Sequence, residues 1–545
     1  MIKRKEMKNL KFARIGVALA LMFSLLGCQK FLNVEPKDSL SGNNFWRNAG
    51  DAETFTLEVY RLFRYGVGIE RPTMLAGDFR NAPVLKTNSY PNRTDINMIS
   101  SGSIKTLVGT VRTEGAGVEN TFWATHVYWN RMDDWVPHYK VIQSANILYE
   151  KVPMIAENDA SISPAVVKRY QAEAVFMRCL TYFFLIRLYG DVPYYTNAYN
   201  QDPLPRTNHV EVAKRCIADL QAVKDDLPWT YKEPANHAVR AMRGSAIALL
   251  MHLNMWCAGF DEGNKRLYYE ATDLLGDELV HVGMEQEGAY ALLPIDQTSS
   301  IFNGRSKEGL FEIPTNPNYQ SNTSSGKEQI ENFRRHFVGH VLHQPYFVLN
   351  SSNPDKSEVA YSSTYMSTIY PEGEPDGRIT EWFTKDNNPI ANMYSGTSAF
   401  QCFKFFNFAY GNANTPQSVG FSQIVFRMSD AILLQAEAVA SLGTNDAKAV
   451  ELLNMIRSRA KAGLYPGVNN YDNSIRDAIY WERCKELMGE GHYYYDLVRT
   501  GKILDPNYCF RPMSYASFLQ GAWTWPINAK ATNNNPFMTL NEYWK

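Results

Sequence analysis

Glu482, Glu486 and Glu490 recur at four-residue spacing and would share one face of a helix, where paired carboxylates could serve as acid and base in glycoside hydrolysis. Their placement argues against that use. Glycosidases hold two carboxyls on either side of a sugar, about 5 to 9.5 Å apart across a cleft. These three would lie in one row, with Arg483, Lys485 and Arg499 nearby in sequence to compensate them. They read as structural ion pairs, as does Asp496 with Arg499 at i, i+3. His336, His340 and His343 bring three histidines onto what would be one helical face, a spacing compatible with a metal. Gly339 weakens such a helix, Pro345 ends it and no HExxH glutamate accompanies the histidines, so the segment reads as polar loop and no metal ligand is assigned. No GxSxG, Walker loop or strand-to-helix GxGxxG is present. No catalytic residue and no cofactor are assigned, and the expectation is a protein that binds without turning over.

Binding chemistry is better represented. Sugar rings offer C–H faces to aromatic planes, while Asp, Asn and Arg bridge the hydroxyls at the rim. Asp78 and Arg80 flank Phe79 in a polar loop region, followed by Tyr90, Asn92, Arg93 and Asp95, and then by Trp123 and Trp129. A second such region carries Tyr319 and Trp382. The residues chosen as glycan contacts are Asp78, Arg80, Tyr90, Trp123 and Tyr319. Trp382, just after Asp376 and Arg378, reads as a packing residue.

A leader sets the compartment. Lys3, Arg4, Lys5, Lys8, Lys11 and Arg14 precede the apolar run Ile15 to Leu26, which is too short to span a bilayer as a helix. Leu25-Leu26-Gly27-Cys28 then forms a lipobox, so residues 1–27 read as a lipoprotein signal peptide and Cys28 as the acylated first mature residue. More than one acyl chain gives stable anchoring. Removing the leader's six bases and one acid turns a net charge of −1 into −6, which argues against a nucleic-acid partner. The six cysteines beyond Cys28 are widely spaced without a CxxC pair, so no zinc framework is expected and most should be free buried thiols. Aromatic residues make up 13% of the chain, more than packing alone requires.

The elements that must position these residues are helices. Ser163 and Pro164 open, and Gly190 and Pro193 close, a helix whose apolar residues recur at three- and four-residue spacing from Val167 to Leu188. Residues 426–461 form a helix hairpin, with Gly443 ending the first arm and Asp446 capping the second. Further pairs are expected from 204–228 with 238–258, and from 126–152 with 164–189. Such hairpins are similar to tetratricopeptide units, although no clean 34-residue repeat is visible. Residues 66–117 and 303–421 read as long irregular loops with short strands such as Gly309 to Ile313, and 473–503 returns to helix.

Several stretches in order resemble the SusD/RagB family of outer-membrane lipoproteins. They are Cys28-Gln-Lys-Phe-Leu-Asn-Val-Glu-Pro36, Trp135 through Asn146, Ala172 through Phe184 closing in Tyr189-Gly-Asp-Val-Pro193, Arg427 through Ala438, and Glu482-Arg483 through Gly491 with Tyr495-Asp-Leu-Val-Arg499. The resemblance implies a mainly α, SusD-like fold, a tetratricopeptide-like scaffold with long loop insertions and few short strands. It implies one globular unit over 28–545, with an N-terminal region 28–300 and a C-terminal region 301–545. It also implies a surface-exposed, lipid-anchored outer-membrane protein that captures oligo- or polysaccharide and delivers it to a SusC-like TonB-dependent transporter. A surface glycoside hydrolase and a helical-repeat scaffold or peptide-capture lipoprotein are the alternatives.

Overall fold

The computed structural model describes residues 45–69, 71–88, 91–108, 129, 131–314, 337, 340, 358–383, 393–394, 402–405, 408–409, 418–419, 422–467, 472–528, 530–533 and 535–545. Residues Asn48–Lys545 form one compact unit, and the described helices and strands belong to it.

Its N-terminal part contains α1 (Ala49–Phe63), α2 (Thr73–Phe79), β1 (Val84–Lys86), α3 (Thr94–Ser100), α4 (Val136–Lys151), α5 (Pro164–Tyr189), α6 (His209–Val223), α7 (Arg243–Phe260) and α8 (Lys265–Asp277). β2 (Gly309–Pro314), β3 (Val359–Tyr361), α9 (Ser363–Ile369), α10 (Gly377–Phe383) and β4 (Ser422–Arg427) follow. The chain then forms α11 (Met428–Leu442), α12 (Asp446–Arg459), α13 (Ile475–Glu486) and α14 (Tyr493–Arg499).

Sequence and structure agree at α5. Ser163 is the N-cap, Pro164 the first helical residue, and Gly190 the C-cap at φ 72°, a left-handed value that costs glycine nothing. Every residue of α5 from Ala172 to Tyr189 is buried, so this helix is core on all sides. It packs against α4 and α6, α6 against α7, α7 against α8, α8 against α11 and α11 against α12, which gives the expected helix pairs. Two boundaries differ from expectation. α4 begins at Val136, because Pro137 lacks an amide hydrogen and is tolerated only in a first helical turn. The cap of α12 is Asn445, whose side chain accepts from the Lys448 amide, rather than Asp446.

β2 pairs with β4 in an antiparallel ribbon that the sequence showed only in part. Phe311 on β2 meets Phe176 edge-to-face at 5.0 Å and Phe63 at 6.4 Å, which seats the ribbon on α5 and α1. Each such ring contributes about 1.5 to 3 kcal/mol by leaving water. A second antiparallel ribbon pairs β1 with β3, Val84 opposite Tyr361 and Lys86 opposite Val359. The six cysteines from Cys179 to Cys509 are free and buried, as their isolated spacing implied. Among the described residues, no helix is long and apolar enough to cross a membrane.

Candidate functional site

The ribbon of β1 and β3 joins the two polar loop regions, and a cluster of buried charge stands beside it. Arg93, in the first region, grips Asp95 with two hydrogen bonds of 2.9 and 3.0 Å. Its remaining guanidinium nitrogen donates to Glu358 and meets His340 Nδ1 at 3.1 Å, both in the second region. Asp95 Oδ2 also accepts from Trp129 Nε1 at 2.9 Å, and the Trp129 ring stacks on Trp525. Burial would raise the Asp95 carboxyl, but the Arg93 guanidinium outweighs it and holds the group below the usual range. Arg93, Asp95, Trp129, His340 and Glu358 are all at most 7% exposed. They form a buried base that ties residues 265 apart in sequence.

Two of the five chosen contacts lie in the interior, which corrects their assignment to a sugar-facing surface. Asp78 is 2% exposed, and its Oδ1 accepts from the Gly491 amide at 2.9 Å. Oδ2 has no hydrogen-bond partner among the described residues, and burial pushes the carboxyl well up. α2 comes so close to the 487–493 turn that a Cβ on Gly77 would sit 2.2 Å from the Gly491 carbonyl oxygen. Arg80 is fully buried, donates to the Ala522 carbonyl and lies over the rings of Tyr494 and Trp525 at 4.7 and 5.4 Å. Neither side chain presents a surface to a sugar; both brace the floor of the first loop region. The two residues stand in what reads as loop because α2 is only seven residues long and buried all round, leaving no period to read. Tyr90, Trp123, Tyr319 and Cys28, the residue expected to be acylated, lie outside the described residues, as do His336 and His343. His340 belongs to the Arg93 cluster. Trp382 is buried, as its neighbours implied, with Asp376 and Arg378 joined by bonds of 2.9 and 2.8 Å.

Glu482, Glu486 and Glu490 are structural, but their partners are not the bases next to them in sequence. Arg378 reaches Glu482 at 2.6 Å and Glu486 at 3.1 Å. Arg427 bridges Glu308, Glu486 and Glu490 at 2.7 Å each, and Lys404 takes Glu490 at 2.5 Å. Arg457 holds Glu482, and Arg459 holds Glu486. Burial would raise all three carboxyls, and the surrounding guanidiniums, with the ammoniums of Lys485 near Glu482 and of Lys404 near Glu486 and Glu490, hold them below the usual range instead. Arg483 pairs with Asp430 and Asp496, and Arg499 with Glu437 and Asp496. Lys485 pairs with none of them.

One donor set of metal-binding type occurs among the described residues. His252 Nε2 lies 2.6 Å from Asp430 Oδ2, and His492 Nε2 lies 4.0 Å from the same oxygen. Burial holds both imidazoles neutral, His492 down to about 4. The guanidinium of Arg483, 3.0 Å from Asp430 Oδ1, already brings the cation that this carboxylate needs. The trio therefore reads as a buried His–Asp–Arg network.

Comparison with known proteins follows the same architecture. A family model described as the SusD family matches residues 298–544, and one described as "Starch-binding associating with outer membrane" matches residues 87–253. The crystal structure of a SusD homolog from Bacteroides thetaiotaomicron VPI-5482 is 38% identical, superposes with a TM-score of 0.78, and aligns over 92% of this chain and 100% of its own. The chain belongs to the SusD family. SusD-like protein P38 of Formosa agariphila is 24% identical over 97% of this chain and 99% of that relative. A structure described as a laminarin binding SusD-like protein, 20% identical, shares the fold at a TM-score of 0.64 over 91% of this chain and 99% of its own. Of the five ordered stretches that resembled SusD/RagB in sequence, four fall within the matched residues, and Cys28 to Pro36 lies outside them. Several of their charged residues, Arg427, Glu482, Glu486 and Glu490, make the buried ion-pair core around α13.

Proposed function

We propose that this SusD family member is a lipid-anchored outer-membrane protein, exposed at the cell surface, that captures oligo- or polysaccharide without cleaving it and passes it to a SusC-like TonB-dependent transporter. The observation that carries the reading is the family match, 38% identity over 92% of the chain to a SusD homolog, together with a family description that pairs starch binding with the outer membrane. The buried base of Arg93, Asp95, Glu358 and His340 supports it physically. A binding surface made of loops needs a floor that does not move, because ordering loops during capture costs affinity. Tyr90, Trp123 and Tyr319 are the proposed sugar contacts, and buried Asp78 and Arg80 are proposed to brace the first loop region. Delivery favours modest affinity, micromolar to millimolar, about −8 to −4 kcal/mol.

The carboxylates best spaced for hydrolysis are saturated by Arg and Lys inside the protein, which favours binding over catalysis. The test is retention of the purified protein on affinity gels of starch and of laminarin, the glycan named for one fold relative, with reducing-end release measured in parallel. Retention without release supports the reading; release that disappears on mutation of a carboxylate overturns it. Metabolic acylation abolished by Cys28→Ala, and co-purification with a large barrel, test the anchor and the partner.

A further inference from the structure

Lys485 stands apart from the saturated charges around it. It lies on α13 and is only 6% exposed, and its ammonium makes no hydrogen bond or ion pair among the described residues. Its ammonium lies 5.7 Å from the Tyr370 ring centroid, and burial lowers its pKa. A cavity of about 350 Å³ opens beside it, within the usual range of about 300 to 1,000 Å³ for small-molecule sites. Four carboxylates border that space: Glu374 is exposed, and the oxygens of Asp376, Asp472 and Glu482 are engaged. Arg378 binds both oxygens of Asp376, Arg457 binds both of Asp472, and the two arginines share Glu482. Asp376, Asp472 and Glu482 form no ion pair with Lys485, although the charges of Glu482 and Asp376 act on its ammonium from nearby. The rest of the wall is largely apolar, with Pro371, Pro375, Ile379 and Leu464.

We propose that this cavity is a ligand site for a compact anionic molecule, a ring of monosaccharide size bearing a carboxylate or a sulfate ester, whose acidic oxygen pairs with the Lys485 ammonium. An ammonium offers three donors, and here none of them is satisfied among the described residues. An oxyanion is the acceptor that gains most from such a group, since charge-assisted hydrogen bonds are about twice as strong as neutral ones. The apolar wall takes the C–H face of the ring. The site uses residues separate from the loop tips and does not depend on the polysaccharide reading.

The probes are glucuronate, glucose 6-sulfate and neutral glucose, titrated against the full chain by calorimetry and ligand-observed NMR. Saturable binding of a charged sugar, with glucose failing to saturate at equal concentration, is expected. The carboxylate and sulfate arms tell which anion the cavity takes. Lys485→Met, which keeps the apolar stem, should weaken that binding about tenfold, or about 1.4 kcal/mol, with its melting temperature checked alongside. In wild type, the dimethylated Lys485 amine should shift on titration, a readout that stands even if the variant folds poorly. No saturation by either anion, equal saturation by glucose, or unchanged affinity in a folded Lys485→Met protein overturns the proposal. Retention on polysaccharide gels, measured on the same samples, reports separately on the proposed capture function.

Discussion

Replacing Arg93 by Met tests whether the floor beneath the loops is held by charge. The substitution removes two bonds to Asp95 and the bond to Glu358, and leaves two carboxylates that are 2% and 3% exposed without their cation. Breaking a buried pair from one side costs about 3 to 5 kcal/mol. The lower end applies here, because Asp95 keeps the Trp129 donor at 2.9 Å and Glu358 keeps His340 at 3.1 Å. For a unit running from Asn48 to Lys545, unfolding entropy of about 2.1 cal/mol/K per residue makes 3 kcal/mol equal to about 3 °C in melting temperature. Arg93→Met, Glu358→Met and the double variant form a cycle read by thermal and urea unfolding. The double variant should cost less than the sum of the singles, by about 1 to 3 kcal/mol, since the second change removes a charge that the first stranded. Glycan retention should fall in Arg93→Met at a temperature where the protein is still folded. Strict additivity of the two singles, or a melting temperature equal to wild type, would refute the reasoning.

Arg427→Met should be more damaging, about 3 to 5 kcal/mol at neutral pH, because three carboxylates at most 3% exposed lose a shared partner. The folded pKa values of Glu486 and Glu490 are depressed, so the stability they contribute exists above the ordinary carboxylate value and fades as pH falls. The gap between variant and wild type in urea unfolding should therefore narrow toward pH 4. Glu312 behaves oppositely. Burial raises its pKa to about 7, so the native state holds the extra proton between about pH 4.5 and 7 and this group's contribution is lost as pH rises through that window. Glu312→Gln should remove a decline of about 3 kcal/mol across it, measured as a flatter stability curve. Trp123→Ala and Tyr90→Ala should weaken retention on glycan gels with the melting temperature unchanged; loss of both together would mean that these rings pack rather than bind.

Long helices were readable in the sequence because their signals are local. Ser163-Pro164 and Gly190 mark the ends of α5, and the apolar spacing between them is a property of consecutive residues. The same holds for the hairpin of α11 and α12 around Gly443, at φ 65°. Short elements were not readable. α2 has seven residues and β3 three, too few to show a period, so their residues passed for loop. That is why Asp78 and Arg80, polar and flanking a Phe, suggested a sugar contact when the fold buries them. Arg93 and Asp95 read only as polar residues of the first loop region, since Glu358, the partner of Arg93, lies 265 positions away.

By itself the sequence determined the family, the helical scaffold and the structural rather than catalytic use of Glu482, Glu486 and Glu490, because helix caps, periodicity and i, i+4 spacing act over a few residues. Tertiary structure alone decided which cation meets which carboxylate. Lys485 was expected to neutralise its neighbours on α13, yet arginines from α10, β4 and α12 reach those glutamates first. The physical reason is geometric. An ion pair forms where packed elements bring nitrogen and oxygen within about 4 Å in a dry interior, and adjacency along the chain does not fix that distance.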